Sequence, residues 1–478
     1  MRATSTLAVA AAALLGNANA LQLVQPRDAS APRVVHHTIQ RKNIDNIIER
    51  DRRRLLKRAS GTVQESLDNE ETLYFINTTI GTPAQSLRLH VDTGSSDLWV
   101  NTASSQLCEE KTKPCVAAGT YAPNSSSTYE YLNSDFNITY EDGSGAVGDY
   151  ATDVVSFGGI SLTSQQFGIG YSSSSGEGVM GIGYAINEAA TEYGSQLQYA
   201  NVPQKLVKEG HTQSNAYSLW LNDLDSSEGS ILFGGVNTGR YTGTLESLPI
   251  IKEDGVYAEF IIALTAVGEN GTSGSIAKNV NSPALLDSGT SLTYLPDSIT
   301  QSIYDSLGAQ YDSSEGAAFV SCDLANSDAT IDLTFSSPTI SVAMSELVIV
   351  AGEDRGQEIC ILGISPTGDS TPVLGDTFLR SAYVVYDLYN NEIALAQTDF
   401  NSTSDNILEI TNITSIPSAS AVANAVTNVA VSSGGARLNG NSGDTTSSSF
   451  AIPTAAIGYD QALLGALGVG VGVAAFAL

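Results

Sequence analysis

Asp92-Thr93-Gly94-Ser95-Ser96 and Asp287-Ser288-Gly289-Thr290-Ser291 are two copies of one short motif, 195 residues apart. Each follows a largely apolar run, residues 89–91 and 284–286. A single Asp-x-Gly is weak evidence, because such turns are common; two copies at this separation point to an internal duplication. A second match supports it. Val179-Met180-Gly181 begins 87 residues after Asp92, and Val373-Leu374-Gly375 begins 86 after Asp287. An apolar-apolar-Gly triplet lets one backbone pass close beside another. The chain therefore reads as two homologous lobes, each supplying one loop that ends in a carboxylate.

Between about residues 70 and 400 short β-prone runs alternate with Gly, Ser, Asn and Asp. Leu87-Arg88-Leu89-His90-Val91 alternates as a half-buried strand does, and Tyr383-Val384-Val385-Tyr386 and Ile393-Ala394-Leu395-Ala396 read as strands around the turn Asn390-Asn391. The best helical signal is residues 297–307, with Pro296 just before it. The expected fold class is all-β. The expected lobes are residues 59–250 and 251–400.

Charge is distributed unevenly. Residues 1–58 hold 11 Lys and Arg against 4 Asp and Glu, whereas the rest of the chain holds 11 against 47. A body with a net charge of −36 repels nucleic acid and attracts cationic partners. At the N-terminus Arg2, the apolar residues 7–15 and Ala18-Asn19-Ala20 have the order of a secretory signal peptide, residues 1–20. The apolar run is too short for a membrane-spanning helix. Residues 21–58 are basic and end in Lys57-Arg58, which reads as a propeptide cut by a dibasic-specific processing protease and docked by its charge on the acidic body.

At the other end, aromatics nearly vanish from 401 to 449, and residues 401–447 are expected to be an unordered, O-glycosylated stalk. Ser447-Ser448-Ser449, a polar spacer and the uncharged residues 462–478 follow the order of a glycosylphosphatidylinositol (GPI) attachment signal, residues 448–478. Ser447 is the expected attachment residue, with Asn441 or Gly443 as alternatives. A tail-anchor helix is the rival, but no Lys or Arg follows the tail. The expected location is the cell surface, on the plasma membrane or in the wall.

Four cysteines on a secretory route allow three connectivities, and local pairing, Cys108 with Cys115 and Cys322 with Cys360, is expected. No Cys-x-x-Cys occurs and only four His are present, so neither metal nor cofactor is expected. Glycosylation sequons stand at Asn77, Asn124, Asn137, Asn270, Asn401 and Asn412.

Two facing carboxylates cannot both ionise cheaply, so Asp92 and Asp287 would hold one proton between them. The ionised member takes a proton from a water while the protonated one donates to a substrate carbonyl. Gly94 and Gly289 permit tight turns close to the carboxylates, and the Ser95 and Thr290 hydroxyls can fix their outer oxygens. These motifs resemble those of the pepsin family of aspartic proteases over roughly residues 70–400. The resemblance implies a bilobal β fold with a central cleft, polypeptide substrates and catalysis by Asp92 and Asp287. It also implies that Trp99 is the core tryptophan near the first loop. Tyr140, before Asp142-Gly143-Ser144, would be the tyrosine of a flap over the cleft, excluding water. The basic N-terminal segment, the stalk and the tail further resemble the fungal yapsin-like, membrane-anchored subgroup. Glu141 and Asp142 depart from the uncharged residues of many flaps and imply a preference for Lys or Arg in substrate.

Two other classes fit the sequence less well. A serine hydrolase lacks a Gly-x-Ser-x-Gly elbow and has only His90 and His211 after residue 58. His90 is expected to point away from Asp92. A non-catalytic cell-surface glycoprotein on the same fold would explain the stalk and tail but not two intact aspartate loops.

Overall fold

The computed structural model describes residues 32–42, 73–140, 143–194, 197–226, 228–411 and 415–431. The signal peptide, the Lys57-Arg58 cut, Glu141, Asp142, Asn412 and the attachment signal with Asn441, Gly443 and Ser447 lie outside the described residues. No described helix is long and apolar enough to cross a membrane.

Strands dominate, as the alternating patterns require. One sheet of 14 strands runs through the first lobe and takes in Ala382–Asp387 and Glu392–Thr398 from the second, while a seven-stranded sheet carries the second lobe. The lobes are thus joined by a shared sheet. Ala382–Asp387 pairs antiparallel with Ala216–Trp220, and Glu392–Thr398 pairs with Tyr241–Pro249. The expected turn between the two C-terminal strands is present, with Asn391 left-handed at φ 58°. The expected helix is Asp297–Leu307, stopped by Gly308 at φ 69°.

The duplication read from the motifs is a duplication of backbone geometry. Gln85–Asp92 runs parallel to Gly178–Gly181, with Asp92 opposite Gly181. Thr272–Leu286 runs parallel to Val373–Leu374, with Leu286 opposite Leu374. Each triplet strand also pairs antiparallel with the strand after its own aspartate loop, Leu98 with Met180 and Thr293 with Leu374. Both triplet glycines are needed for this approach. A Cβ on Gly181 would lie 2.6 Å from the Asp97 backbone nitrogen, and one on Gly375 would strike the Thr290 and Leu292 carbonyls.

Two segments depart from expectation. Val35–Lys42, within the basic stretch assigned to a propeptide, is an interior strand of the 14-stranded sheet, between Leu73–Ile80 and Glu228–Phe233. Val35 and Ile39 are buried in the main core. This part is therefore seated by strand pairing and apolar burial rather than by charge alone.

Residues 401–411 and 415–431 are not an unordered stalk. Ile407–Glu409 pairs with Gly235–Asn237, and Ala419–Ala421 adds in parallel to Tyr241–Pro249. Ile410 and Ile416 are buried beside Trp220 and Tyr383, and Val429 enters the main core. Strand addition satisfies backbone groups with three residues at a time, so a polar segment with a few well-placed isoleucines can dock.

Candidate active site

Asp92 ends the strand Gln85–Asp92, and Asp287 follows the strand Thr272–Leu286; both are buried. Their loops grip one another. The Thr93 hydroxyl donates to the Leu286 carbonyl (3.0 Å) and accepts from the Ser288 backbone N–H (2.9 Å). Reciprocally, the Ser288 hydroxyl donates to the Val91 carbonyl (3.0 Å) and accepts from the Thr93 N–H (3.2 Å). Small hydroxyl residues follow both aspartates because each must serve as donor and acceptor at once.

The two carboxylates are held alike. Oδ1 of Asp92 accepts from the Gly94 N–H (2.9 Å), and Oδ1 of Asp287 accepts from the Gly289 N–H (2.7 Å). Their Oδ2 atoms accept from hydroxyls, that of Ser95 on Asp92 and that of Thr290 on Asp287, the latter at 2.6 Å. Each loop glycine lies against the opposite carboxylate: a Cβ on Gly94 would stand 2.5 Å from Asp287 Oδ1, and one on Gly289 would strike Asp92 Oδ1. The inner oxygens therefore face each other, with no room for a side chain between them. Such a pair can accept one proton from a bound water and donate another to a carbonyl without moving either carboxylate.

Tyr140 ends the first arm of the hairpin made by Glu130–Thr139 and Gly145–Phe157. The tip closes through Tyr140 N–H to the Ser144 carbonyl and Gly143 N–H to the Tyr140 carbonyl, both 2.8 Å, with Gly143 left-handed at φ 74°. The Tyr140 hydroxyl accepts a hydrogen bond from the Trp99 indole N–H at 2.7 Å. Trp99 is fully buried, as expected of a core tryptophan, and it also tethers the hairpin tip.

His90 corrects one expectation. It does not point away: its Nε2 lies 3.3 Å from the Ser288 carbonyl, beside Asp287. Alternate residues of a strand share a face, so positions 90 and 92 look the same way. Not anticipated as neighbours of the site were Tyr217 and the strand residue Tyr386, buried and stacked at 5.1 Å. Burial first, then neighbouring groups that include Asp92 for Tyr217 and Asp287 for Tyr386, push both phenols up. A tyrosine inside an otherwise apolar strand was the available signal.

Both expected disulfides form, Cys108–Cys115 and Cys322–Cys360. Cys322, Glu358 and Cys360 are the one cluster of metal-ligand types among the described residues, and its cysteines are already bonded to each other. Asn77, Asn124, Asn270 and Asn401 are exposed and Asn137 is half-buried. The amide of Asn401 is hydrogen-bonded to Asp223.

A family model described as eukaryotic aspartyl protease matches residues 73–398. The chain is 56% identical over 421 residues to "Probable aspartic-type endopeptidase opsB" of Aspergillus oryzae, covering 86% of each chain. It is 40% identical to "Acid protease" of Saccharomycopsis fibuligera, over 73% of this chain and 87% of that one. It is 33% identical to "Aspartic proteinase 3" of Saccharomyces cerevisiae, over 77% of this chain and 76% of that one. With two interlocked aspartate loops and a matched span that includes both, the chain belongs to the eukaryotic aspartyl protease family.

Proposed function

We propose that this aspartic endopeptidase hydrolyses peptide bonds through Asp92 and Asp287 and a water held between them. The observation that carries the reading is the matched pair of inward Oδ1 atoms, each fixed by a loop N–H and each backed by a hydroxyl on Oδ2. The ionised carboxylate takes a proton from the water, whose oxygen attacks the scissile carbonyl carbon. The protonated carboxyl gives its proton to the carbonyl oxygen. Collapse of the tetrahedral diol breaks the C–N bond as the nitrogen is protonated, and no covalent intermediate forms. Tyr140, held by Trp99, covers the cleft.

Three finer features belong to the same reading. Glu141 and Asp142, next to Tyr140 in the sequence, and the strongly acidic body favour substrates with Lys or Arg beside the cut bond. The basic residues 21–58 act as a propeptide released by a dibasic-specific protease after Arg58. The C-terminal signal carries the enzyme to the cell surface on a GPI anchor. The order of sequence signals supports these last two.

The test is cleavage profiling on a peptide library across acid pH, with pepstatin and Asp92→Asn as controls. Asp92→Asn should lower kcat by about 10²–10⁴-fold or more. Activity that survives both controls refutes the mechanism. Asp142→Ala should depress cleavage at Lys and Arg sites much more than at Leu and Phe sites; equal losses refute the preference.

A further inference from the structure

A second carboxyl pair lies under the flap. Asp97, at the end of the first catalytic loop, and Glu188 are both fully buried. Asp97 has the partners of an ionised carboxylate. Its Oδ1 accepts from the Tyr150 hydroxyl (3.1 Å) and the Tyr199 hydroxyl (2.8 Å), and its Oδ2 accepts from the Ala189 N–H (2.7 Å). Glu188 does not. Its Oε2 accepts from the Tyr199 N–H (2.8 Å), while its Oε1 is buried with no hydrogen-bond partner. A second bare charge beside Asp97, away from water, is far costlier than a neutral acid.

The cluster is built into the flap's footing. Tyr150 sits on Gly145–Phe157, the strand that descends from the flap tip, and its ring packs edge-on against Phe136 of the other flap strand at 5.2 Å. Trp99, Phe136, Ile138, Ala146, Tyr150 and Ala189 form one apolar cluster, with Tyr140 and Tyr199 packed on it. Asp97 therefore joins the catalytic loop, the flap strand and the segment after Tyr184 at a single point.

We propose that Asp97 and Glu188 hold one proton between them, and that this proton seats the flap strand on the catalytic loop, making Glu188 a positioning residue for the flap. The groups acting on Glu188 are Asp97 from the catalytic loop and Tyr199, while Tyr150 of the flap strand reaches the pair through its hydrogen bond to Asp97. Among the described residues, the charge acting on it is that of Asp97. Burial, then the charge of Asp97, hold the Glu188 carboxyl up to about 10, and burial pushes the Tyr199 hydroxyl up as well.

The sign follows. An exposed Glu gives up its proton near 4.5, whereas seated Glu188 keeps it to about 10. The seated state bears no penalty below pH 4.5. Above it, any state that opens the site to water gains up to tenfold in population per pH unit, until about pH 10. The flap footing is thus firmest in acid. The flap's role rests on the Asp92–Asp287 reading of the site, but the proton-holding pair does not.

The test compares full-length wild type with Glu188→Gln by amide hydrogen exchange of residues 145–157 between pH 4.5 and 6.5. The ratio of wild-type to variant rates cancels the intrinsic pH dependence of exchange. The pair predicts a ratio that grows at least tenfold over this range, because Gln cannot ionise. A merely structural effect gives a constant ratio, which overturns the proposal. If Glu188→Gln does not accumulate as folded protein, Glu188→Met carries the test. Met cannot ionise either and is close to Glu in length, so the ratio should grow in the same direction, and a flat ratio overturns the proposal equally. The measurement needs no hydrolysis, so its outcome is separate from that of Asp92→Asn.

Discussion

Thr93 and Ser288 exchange hydrogen bonds across the two lobes, each hydroxyl accepting from the other residue's N–H and donating to the carbonyl two positions before that residue. The relationship is symmetric, so each lobe sets the other's carboxylate. Thr93→Val keeps the shape and removes the hydroxyl, leaving the Ser288 N–H and the Leu286 carbonyl buried and unpaired. At about 1–3 kcal/mol for each orphaned group, the variant should lose about 2–6 kcal/mol of stability. Urea unfolding measures it, and Thr93→Ser should recover most of the loss. Because the loops also place the dyad, kcat should fall in Thr93→Val.

The Trp99–Tyr140 contact predicts a smaller and different effect. Trp99→Phe keeps an aromatic in the cluster but removes the indole donor to the flap hydroxyl. One hydrogen bond is worth about 1 kcal/mol, so kcat/KM should fall about fivefold on a good peptide. Tyr140→Phe should lose a similar amount, and the double variant no more than either single one. Additive losses would show that the two side chains act separately.

The disulfides should differ in worth because they close loops of different length. Cys108 and Cys115 are 7 apart, and Cys322 and Cys360 are 38 apart. Loop-closure entropy gives about 2 kcal/mol for the short bridge and about 4 kcal/mol for the long one. Paired Cys→Ser variants compared by urea unfolding test the ranking. The long bridge ties Cys322–Asn326 to Gln357–Leu362 in the second lobe, so its removal should loosen that lobe more than the flap side.

Much of the site was legible because duplication is a pattern no single loop can mimic. Asp92, Asp287 and their triplets were read from a repeated motif and its matched spacing, and the registers Asp92–Gly181 and Leu286–Leu374 explain why that spacing is kept. The carboxyl pair outside the repeated motifs was not legible. Asp97 and Glu188 are 91 positions apart and carry no motif, and only packing brings them together. His90 was misjudged by a parity error that strand period corrects. Val35–Lys42 and residues 401–411 and 415–431 were misjudged because composition hides sparse apolar residues: Ile39 stands between Thr38 and Gln40, and Ile410 between Glu409 and Thr411.

That last misreading changes where the catalytic body ends. The family match stops at residue 398, yet the chain goes on to bury Ile410, Ile416 and Val429 and to cover the edge of Tyr241–Pro249. It is also tied by polar contacts. Asp405 accepts from the Asn237 amide (2.7 Å) and the Arg240 guanidinium (2.9 Å), the Val426 N–H donates to the Ser336 hydroxyl (3.0 Å), and the Asn281 amide donates to the Asn428 carbonyl (3.2 Å). These partners lie in both lobes, so the segment is a strap across them. Cutting the chain after Phe400 removes two buried isoleucines at about 1.5–3 kcal/mol each, leaves Gly235–Asn237 without its partner strand and bares one edge of Tyr241–Pro249. A chain ending at Val431 should match the longer protein in thermal midpoint. One ending at Phe400 should lose about 4 kcal/mol or more, enough to make it accumulate poorly or aggregate through the bared edge. Equal midpoints for the two truncations would return residues 401–431 to the role of a passive tether.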